Sequence, residues 1–287
     1  MKVEVAVIPA AGRGTRMRPA TRSVPKALLP VVDRPVIQWV VEEGMRAGVQ
    51  EFVVVVSPGV EDLLYSHFEG MGSLDQLEGF SRVKLTWVVQ EKALGLGHAV
   101  LRAREVVDGR PFFCLLGDGL VVPGRDHLGH MAAASDGRSV VCLRPLPEEA
   151  LDYFGVAEVG DSLAPGVVEL RGAVEKPGRE KAPSRLGFVG RYLFTPEVFR
   201  ALAGVAPGYG GEVQLTDAIA SLGREGRCLG WIADEDLLDV GNPAGYLEAV
   251  TALGLWHPVF GAAYRRYLDS VAGGPDEGRA PSEETEG

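Results

Sequence analysis

Cysteine is scarce in this chain of 287 residues: three occur, Cys114, Cys142 and Cys228, each inside an apolar run. An odd count without Cys-x-x-Cys spacing offers no disulfide framework and predicts buried, reduced thiols in a reducing compartment. Long apolar runs are absent too, none approaching the ~18 residues of a membrane-spanning helix. Met1 to Val5 lacks a charged segment leading into an apolar stretch and a small-residue cleavage site. The expectation is a soluble, cytoplasmic protein with no membrane partner. Positive charge is also in short supply, 29 Lys and Arg against 39 Asp and Glu, for a net charge of −10. That balance excludes broad electrostatic capture of nucleic acid or an anionic membrane, so any phosphate must be held locally. Neither a Walker loop (G-x-x-x-x-G-K-[ST]) nor an internal repeat occurs.

What is present is enough to bury a core, with 46% of residues hydrophobic and 24% charged. Short β-branched runs recur, each closed by a turn signal: Val3 to Ile8, Phe52 to Val56, Val83 to Val89, Phe112 to Leu116 and Ser139 to Leu143. Runs of this kind read as strands buried on both faces. Between the first two, residues 35–48 carry Val36, Val40, Met45 and Ala47 and end near a Gly, which predicts a helix. Strand, helix, strand order implies an α/β fold with a mostly parallel sheet and a ligand site at the carboxyl ends of its strands. Beyond residue 150 shorter segments, Gly155 to Val159, Gly166 to Val174 and Gly187 to Phe194, predict a mixed or antiparallel extension of the same sheet. Residues 1–268 therefore read as one domain, and residues 269–287, rich in Gly, Pro and Glu, as a disordered acidic tail.

The strongest local signal is Pro9-Ala10-Ala11-Gly12-Arg13-Gly14-Thr15-Arg16, directly after the first strand. Its small residues let backbone N–H groups approach a phosphate or a base. The dinucleotide pattern G-x-G-x-x-G fails on its last residue, Met17, which disfavours an NAD-dependent oxidoreductase. Arg13, Arg16, Arg18, Arg22 and Lys26 follow with no acidic residue among them, the local cation excess that a triphosphate requires. Asp118 ends the apolar strand Phe112 to Gly117, and Asp239 precedes Val240-Gly241; a carboxylate at such a strand end suits Mg²⁺. The pair matters only if the sheet brings the two together. His127-x-x-His130 has no third ligand nearby and reads as surface decoration, His98 as structural, and Trp39, Trp87, Trp231 and Trp256 as core or interface anchors.

These segments resemble the bacterial UTP–glucose-1-phosphate uridylyltransferases, sugar-nucleotide pyrophosphorylases with a Rossmann-like, GT-A-like nucleotidyltransferase fold. The likeness is carried by Ala6 to Arg16, by Pro25-Lys26-x-x-Leu29-Pro30-Val31-Val32-Asp33-x-Pro35 and by Leu94 to Val100. It continues through Leu115 to Asp118, Phe154-Gly155-Val156, Val174 to Pro177 and Val189 to Tyr192. Gly211 to Ala218 and His257-Pro258-x-Phe260-Gly261 are more specific to the uridylyl branch. The chain departs from the pattern at Gly119, where the family usually carries a second Asp, at Ala27-Leu28, where it carries Glu-Met, and at Val240-Gly241-Asn242-Pro243, closer to thymidylyl and guanylyl relatives.

The resemblance implies transfer of a uridylyl group from UTP to glucose 1-phosphate, giving UDP-glucose and pyrophosphate, in a homodimer or homotetramer. It implies that Ala10, Ala11, Gly12 and Gly14 line the nucleotide and that Gln90 and Gly95 meet the uracil edge. Arg16, Lys26 and Lys176 are the expected catalytic cations. Gly155, Glu175, Lys176 and Gly190 are expected to hold the sugar and its phosphate, and Asp118 and Asp239 a Mg²⁺ ion, with Asp118 also facing the nucleotide. The rival expectations are a thymidylyltransferase on glucose 1-phosphate and a catalytically silent sugar-nucleotide-binding protein, for which Gly119 is the one hint.

Overall fold

The computed structural model describes residues 1–69, 83–233 and 237–272. In chain order its strands are β1 (Val5–Pro9), β2 (Pro30–Val31), β3 (Arg34–Pro35), β4 (Glu51–Val56), β5 (Lys84–Val89), β6 (Phe112–Leu115) and β7 (Gly119–Val121). They continue with β8 (Ser139–Pro145), β9 (Gly155–Ala164), β10 (Val167–Glu175), β11 (Leu186–Phe194), β12 (Cys228–Ile232) and β13 (Leu237–Asp239). The helices are α1 (Val36–Arg46), α2 (Glu61–Glu69), α3 (Leu96–Arg102), α4 (Arg104–Val107) and α5 (His127–Ala134). After them come α6 (Gly178–Lys181), α7 (Glu197–Ala203), α8 (Leu215–Arg224), α9 (Pro243–Trp256) and α10 (Gly261–Ala272).

One nine-stranded sheet runs β5-β4-β1-β6-β11-β8-β12-β10-β9. Its first four strands are parallel; β11 then runs antiparallel to both β6 and β8, and β9 and β10 extend the far edge antiparallel. The expected mixed α/β sheet is therefore present, with the change from parallel to mixed at β11. Side chains alternate across it with period two. Ala6, Ile8, Phe52, Val54 and Phe113 face one layer with α1, α5 and α9, while Val5, Val7, Val53, Val55 and Phe112 face the other with α3, α7 and α8. A strand covered on both sides has no polar face to show, which is why these segments read as continuous apolar runs. Cys114, Cys142 and Cys228 are free and buried, and burial pushes each thiol's pKa up. No helix among the described residues is long and apolar enough to cross a membrane.

Two features position the functional residues. The chain passes from β1 outward to β4 and β5 and then returns to β6 on the other side of β1, so the strand order reverses between β1 and β6, where open α/β sheets form their ligand crevice. Gly44 seats α1 directly on the sheet: a Cβ there would stand 2.6 Å from the Phe52 ring. At the far end α10 continues to Ala272, past the boundary expected at 268. Tyr264, Tyr267, Leu268 and Val271 recur at helical spacing, and Gly254 of α9 lies under the Tyr264 ring. Residues 273–287 lie outside the described residues.

Candidate active site at the strand ends

The loop after β1 and the loop after β6 face each other across the reversal point. Between them opens a cavity of about 520 Å³ lined by Ala10, Ala11, Gly12, Arg13, Lys26, Gln90, Gly95 and Asp118. A neighbouring cavity of about 280 Å³ is lined by Arg16, Asp118, Tyr153, Gly155, Glu175, Lys176, Gly190, Thr216 and Asp239. Asp118 lines both and stands at their junction. The expected nucleotide and sugar residues thus separate into the larger and the smaller cleft, except Gly14, which lines neither. Its backbone has φ 58° and a Cβ there would press on Thr21 and Lys26, so it shapes the turn that carries Lys26. Arg18 and Arg22 are exposed and line neither cavity. Met17, which breaks the dinucleotide pattern, is buried in the core.

Asp118 and Asp239 meet through a pairing of short strands. β13 runs antiparallel to β7 with Asp239 opposite Gly119, and Val240 N–H donates to the Asp118 carbonyl at 2.8 Å. Arg144 donates to the Leu237 carbonyl at 2.8 Å and holds β13 down. The position a Cβ on Gly241 would take lies 2.7 Å from Asp239 Oδ1, 3.2 Å from Asp118 Oδ2 and 2.7 Å from Arg16 Nη2. Two carboxylates thus converge on one cradle that a side chain would fill. Lys26 Nζ donates to Asp118 Oδ2 at 2.6 Å, and Arg16 Nη2 lies 3.9 Å from the same oxygen. Burial pushes the Asp118 pKa up, but Lys26 and then Arg16 outweigh it and leave the carboxyl below its ordinary value. Among the described residues no three His, Cys, Asp or Glu gather as a closed metal cage. A site of two carboxylates open to a phosphate cleft suits Mg²⁺, which commonly takes one or two carboxylates, waters and substrate phosphates.

In the smaller cleft, Glu175 stands opposite Gly155 in the β9–β10 register. Its Oε2 accepts from Thr216 at 2.5 Å, and Lys176 Nζ lies 3.4 Å from Oε1 and 5.1 Å from the Tyr209 ring centre. Lys176 has φ 46°, a left-handed backbone that non-glycine residues adopt at a cost and that clusters at functional sites. Gly190, at φ 80°, brings its strand so close that a Cβ would stand 3.0 Å from that of Leu116. In the larger cleft the Gln90 amide nitrogen donates to the Gly95 carbonyl at 3.2 Å and lies 2.8 Å from His98 Nδ1.

Sequence reasoning missed a third carboxylate beneath this floor. Glu43 of α1 takes bonds of 2.7–3.1 Å from Arg191 of β11, which also donates to the carbonyls of Leu116, Gly119 and Gly190. The signal was a lone Arg in the apolar run Phe188 to Phe194. His127 is not surface decoration: it is buried, and both it and His130 pack against Trp231, because α5 lies on the core.

The nucleotidyl transferase family model matches residues 5–254. The chain belongs to that family. It is 36% identical to a UTP–glucose-1-phosphate uridylyltransferase of Streptococcus pneumoniae serotype 4, with 93% of this chain and 95% of the relative covered. It is 33% identical to that of Streptococcus pyogenes, with 98% of each covered. Among solved structures it resembles a UDP-glucose pyrophosphorylase complexed with UDP-glucose, at TM-score 0.79 and 33% identity over 87% of this chain and 98% of that one. It also resembles a UTP-bound enzyme of this kind from Acinetobacter baumannii, at 0.79 and 33% over 94% and 99%. This family member shares its fold alone with a putative glucose-1-phosphate thymidylyltransferase from Bacillus anthracis, at 22% identity.

Proposed function

We propose that the protein joins UTP and glucose 1-phosphate into UDP-glucose and releases pyrophosphate. The observation that carries this reading is Asp118 and Asp239 converging where the two clefts meet, with Lys26 on the larger side, Glu175 and Lys176 on the smaller, and Arg16 reaching Asp118 from the smaller side. An in-line displacement at the α-phosphorus needs a nucleotide and a sugar phosphate delivered from opposite sides to one charged point, and two clefts sharing a wall provide it. Relatives named uridylyltransferases at 33–36% identity support the base and the sugar over the thymidylyl alternative.

Nucleophile and electrophile are both anionic, so catalysis is positioning and charge neutralisation, and the already ionised sugar phosphate needs no general base. Ala10, Ala11 and Gly12 offer close backbone to the nucleotide, and Gln90 and Gly95 the polar edge that meets uracil. Lys26 and Arg16 take up charge growing on the departing pyrophosphate. Lys176 draws in the attacking phosphate, while Glu175, oriented by Thr216, accepts from the sugar hydroxyls between Gly155 and Gly190. Asp118 and Asp239 would hold Mg²⁺, which when bound supplies positive charge to the phosphates. In the assembly we propose, a homodimer or homotetramer in the cytoplasm, the exposed Leu247, Val259, Phe260 and Tyr267 near the carboxyl end would be covered.

Pyrophosphate release across a grid of nucleoside triphosphates and sugar 1-phosphates tests the activity. UTP with glucose 1-phosphate is expected to exceed every other pair. A preference for dTTP would overturn the uridylyl reading, and silence across the grid would overturn catalysis.

A further inference from the structure

Gln90 follows β5, is 5% exposed, and lines the larger cleft. A carbonyl oxygen only accepts and an amide nitrogen only donates. The bond to the Gly95 carbonyl therefore fixes which end of the Gln90 amide faces the loop, and the same nitrogen then donates to His98 Nδ1. With Nδ1 as that acceptor, the arrangement requires the ring proton of His98 on Nε2. Both donor hydrogens of the amide are used, and among the described residues no partner is found for Gln90 Oε1, the end left for the cleft.

The scaffold behind this contact is rigid. Gly95 holds φ 106°, and a Cβ there would come within 2.6 Å of the Val213 carbonyl. Val213 in turn accepts from Gly97 N–H at 2.9 Å and donates to the Leu94 carbonyl at 2.8 Å. The loop that carries the Gly95 carbonyl and the first turn of α3 that carries His98 are thereby tied to the segment preceding α8. The Gly95 carbonyl therefore cannot follow the amide if it turns, and the backbone that carries His98 is held in place.

We propose that His98 is a specificity-positioning residue: its Nδ1 holds the Gln90 amide so that Oε1 faces the base, and the cleft therefore selects a pyrimidine with a ring N–H over one with a bare ring nitrogen. This rests on the reading that Gln90 meets the uracil edge. Uracil and thymine offer a donor at N3, whereas cytosine offers an acceptor there. An amide oxygen facing that acceptor leaves both unpaired, while a turned amide would suit cytosine. With His98 absent, the Gly95 carbonyl alone opposes that turn.

The test is kcat/KM for UTP, dTTP and CTP with glucose 1-phosphate in the wild type and in His98→Phe, His98→Ala, His98→Asn and Gln90→Leu. His98→Phe and His98→Ala are expected to lower the UTP/CTP ratio about tenfold or more while leaving UTP/dTTP within about threefold, since both of those bases carry the ring N–H. His98→Asn, whose amide oxygen can stand where Nδ1 stands, is expected to keep both ratios near wild type. An equal loss for all three nucleotides in His98→Ala, or an unchanged UTP/CTP ratio there, would overturn the proposal. Gln90→Leu separates the two levels. If it collapses UTP/CTP while the His98 variants do not, the positioning role alone fails, and if it leaves the ratio intact, the reading of Gln90 fails with it.

Discussion

Two carboxylate–cation pairs flank the loop after β6 and are built in opposite ways. The Lys26 and Asp118 side chains are 18% and 26% exposed and meet at the wall of both clefts; those of Arg191 and Glu43 are 0% and 9% exposed and meet beneath it. The outer pair has two partners on one oxygen and room beside it, so a phosphate or a cation can exchange with either member. The inner pair is closed, with Arg191 spent on both Glu43 oxygens and three carbonyls. Burial pulls the Arg191 pKa down, yet Glu43 outweighs it and the guanidinium stays charged. A pair of this kind adds little net stability over an apolar replacement, but losing one member strands a buried charge. What it does here is hold the carbonyls of Leu116 and Gly119 on either side of Asp118.

The comparison breaks most visibly at the carboxylates of the clefts. Asp118→Ala and Asp239→Ala are each expected to cut kcat/KM by roughly a thousandfold or more at saturating Mg²⁺ with melting temperature close to wild type. A variant near wild-type activity removes that residue from the metal-holding role. Next, Arg191→Leu or Glu43→Leu should cost about 3–5 kcal/mol, read as a melting-temperature drop of several degrees and a lower denaturant midpoint. The double variant Arg191→Met with Glu43→Leu should regain most of that loss yet remain slow, because the loop carbonyls lose their anchor. Additive losses in the double variant would show that the pair is not coupled.

Lys26→Met sharpens the contrast from the other side, with turnover expected to fall steeply and stability at pH 7 to change by no more than about 1 kcal/mol. The Asp118 carboxyl sits below its ordinary 3.8 in the folded protein, so its contribution is complete above that value and is lost as pH falls through the depressed one. Unfolding curves of wild type and Lys26→Met should therefore differ most at neutral pH and converge below it on the acid side. The smallest effect belongs to the surface pair Arg200–Glu225, joined at 2.6 Å but largely in water. Arg200→Ala should cost at most about 0.5 kcal/mol by denaturant unfolding, and more would place that pair with the inner one.

How much of this was legible depended on how local each signal is. The parallel strands announced themselves because Phe52 to Val56 and Phe112 to Leu115 are buried on both faces and so carry no polar alternation. The clefts were legible at Gly12 and Lys26, in the basic loop after β1, and at Asp118, just past the end of β6. The meeting of Asp118 with Asp239 was not, since it depends on two strands of three residues each pairing across the chain. Glu43 read as one more helix residue, because its partner Arg191 lies 148 positions away. His98 read as structural because nothing in Leu94 to Val100 tells which ring nitrogen faces Gln90.

Gly44 gives the molecule a mechanical weak point far from any substrate. There is no room for a Cβ between helix and sheet there, so the residue after Glu43 sets how deep the helix sinks. Gly44→Ala, adding a single methyl against Phe52, must turn the ring or lift α1, and lifting α1 draws the Glu43 carboxylate away from Arg191. Random mutagenesis scored by activity should thus return lesions at a position that touches neither cleft, inherited through Gly44, Glu43, Arg191 and the loop carbonyls on either side of Asp118. The residues proposed to act on substrate line a crevice, but the enzyme's tolerance for change is expected to be decided partly on the opposite side of that wall.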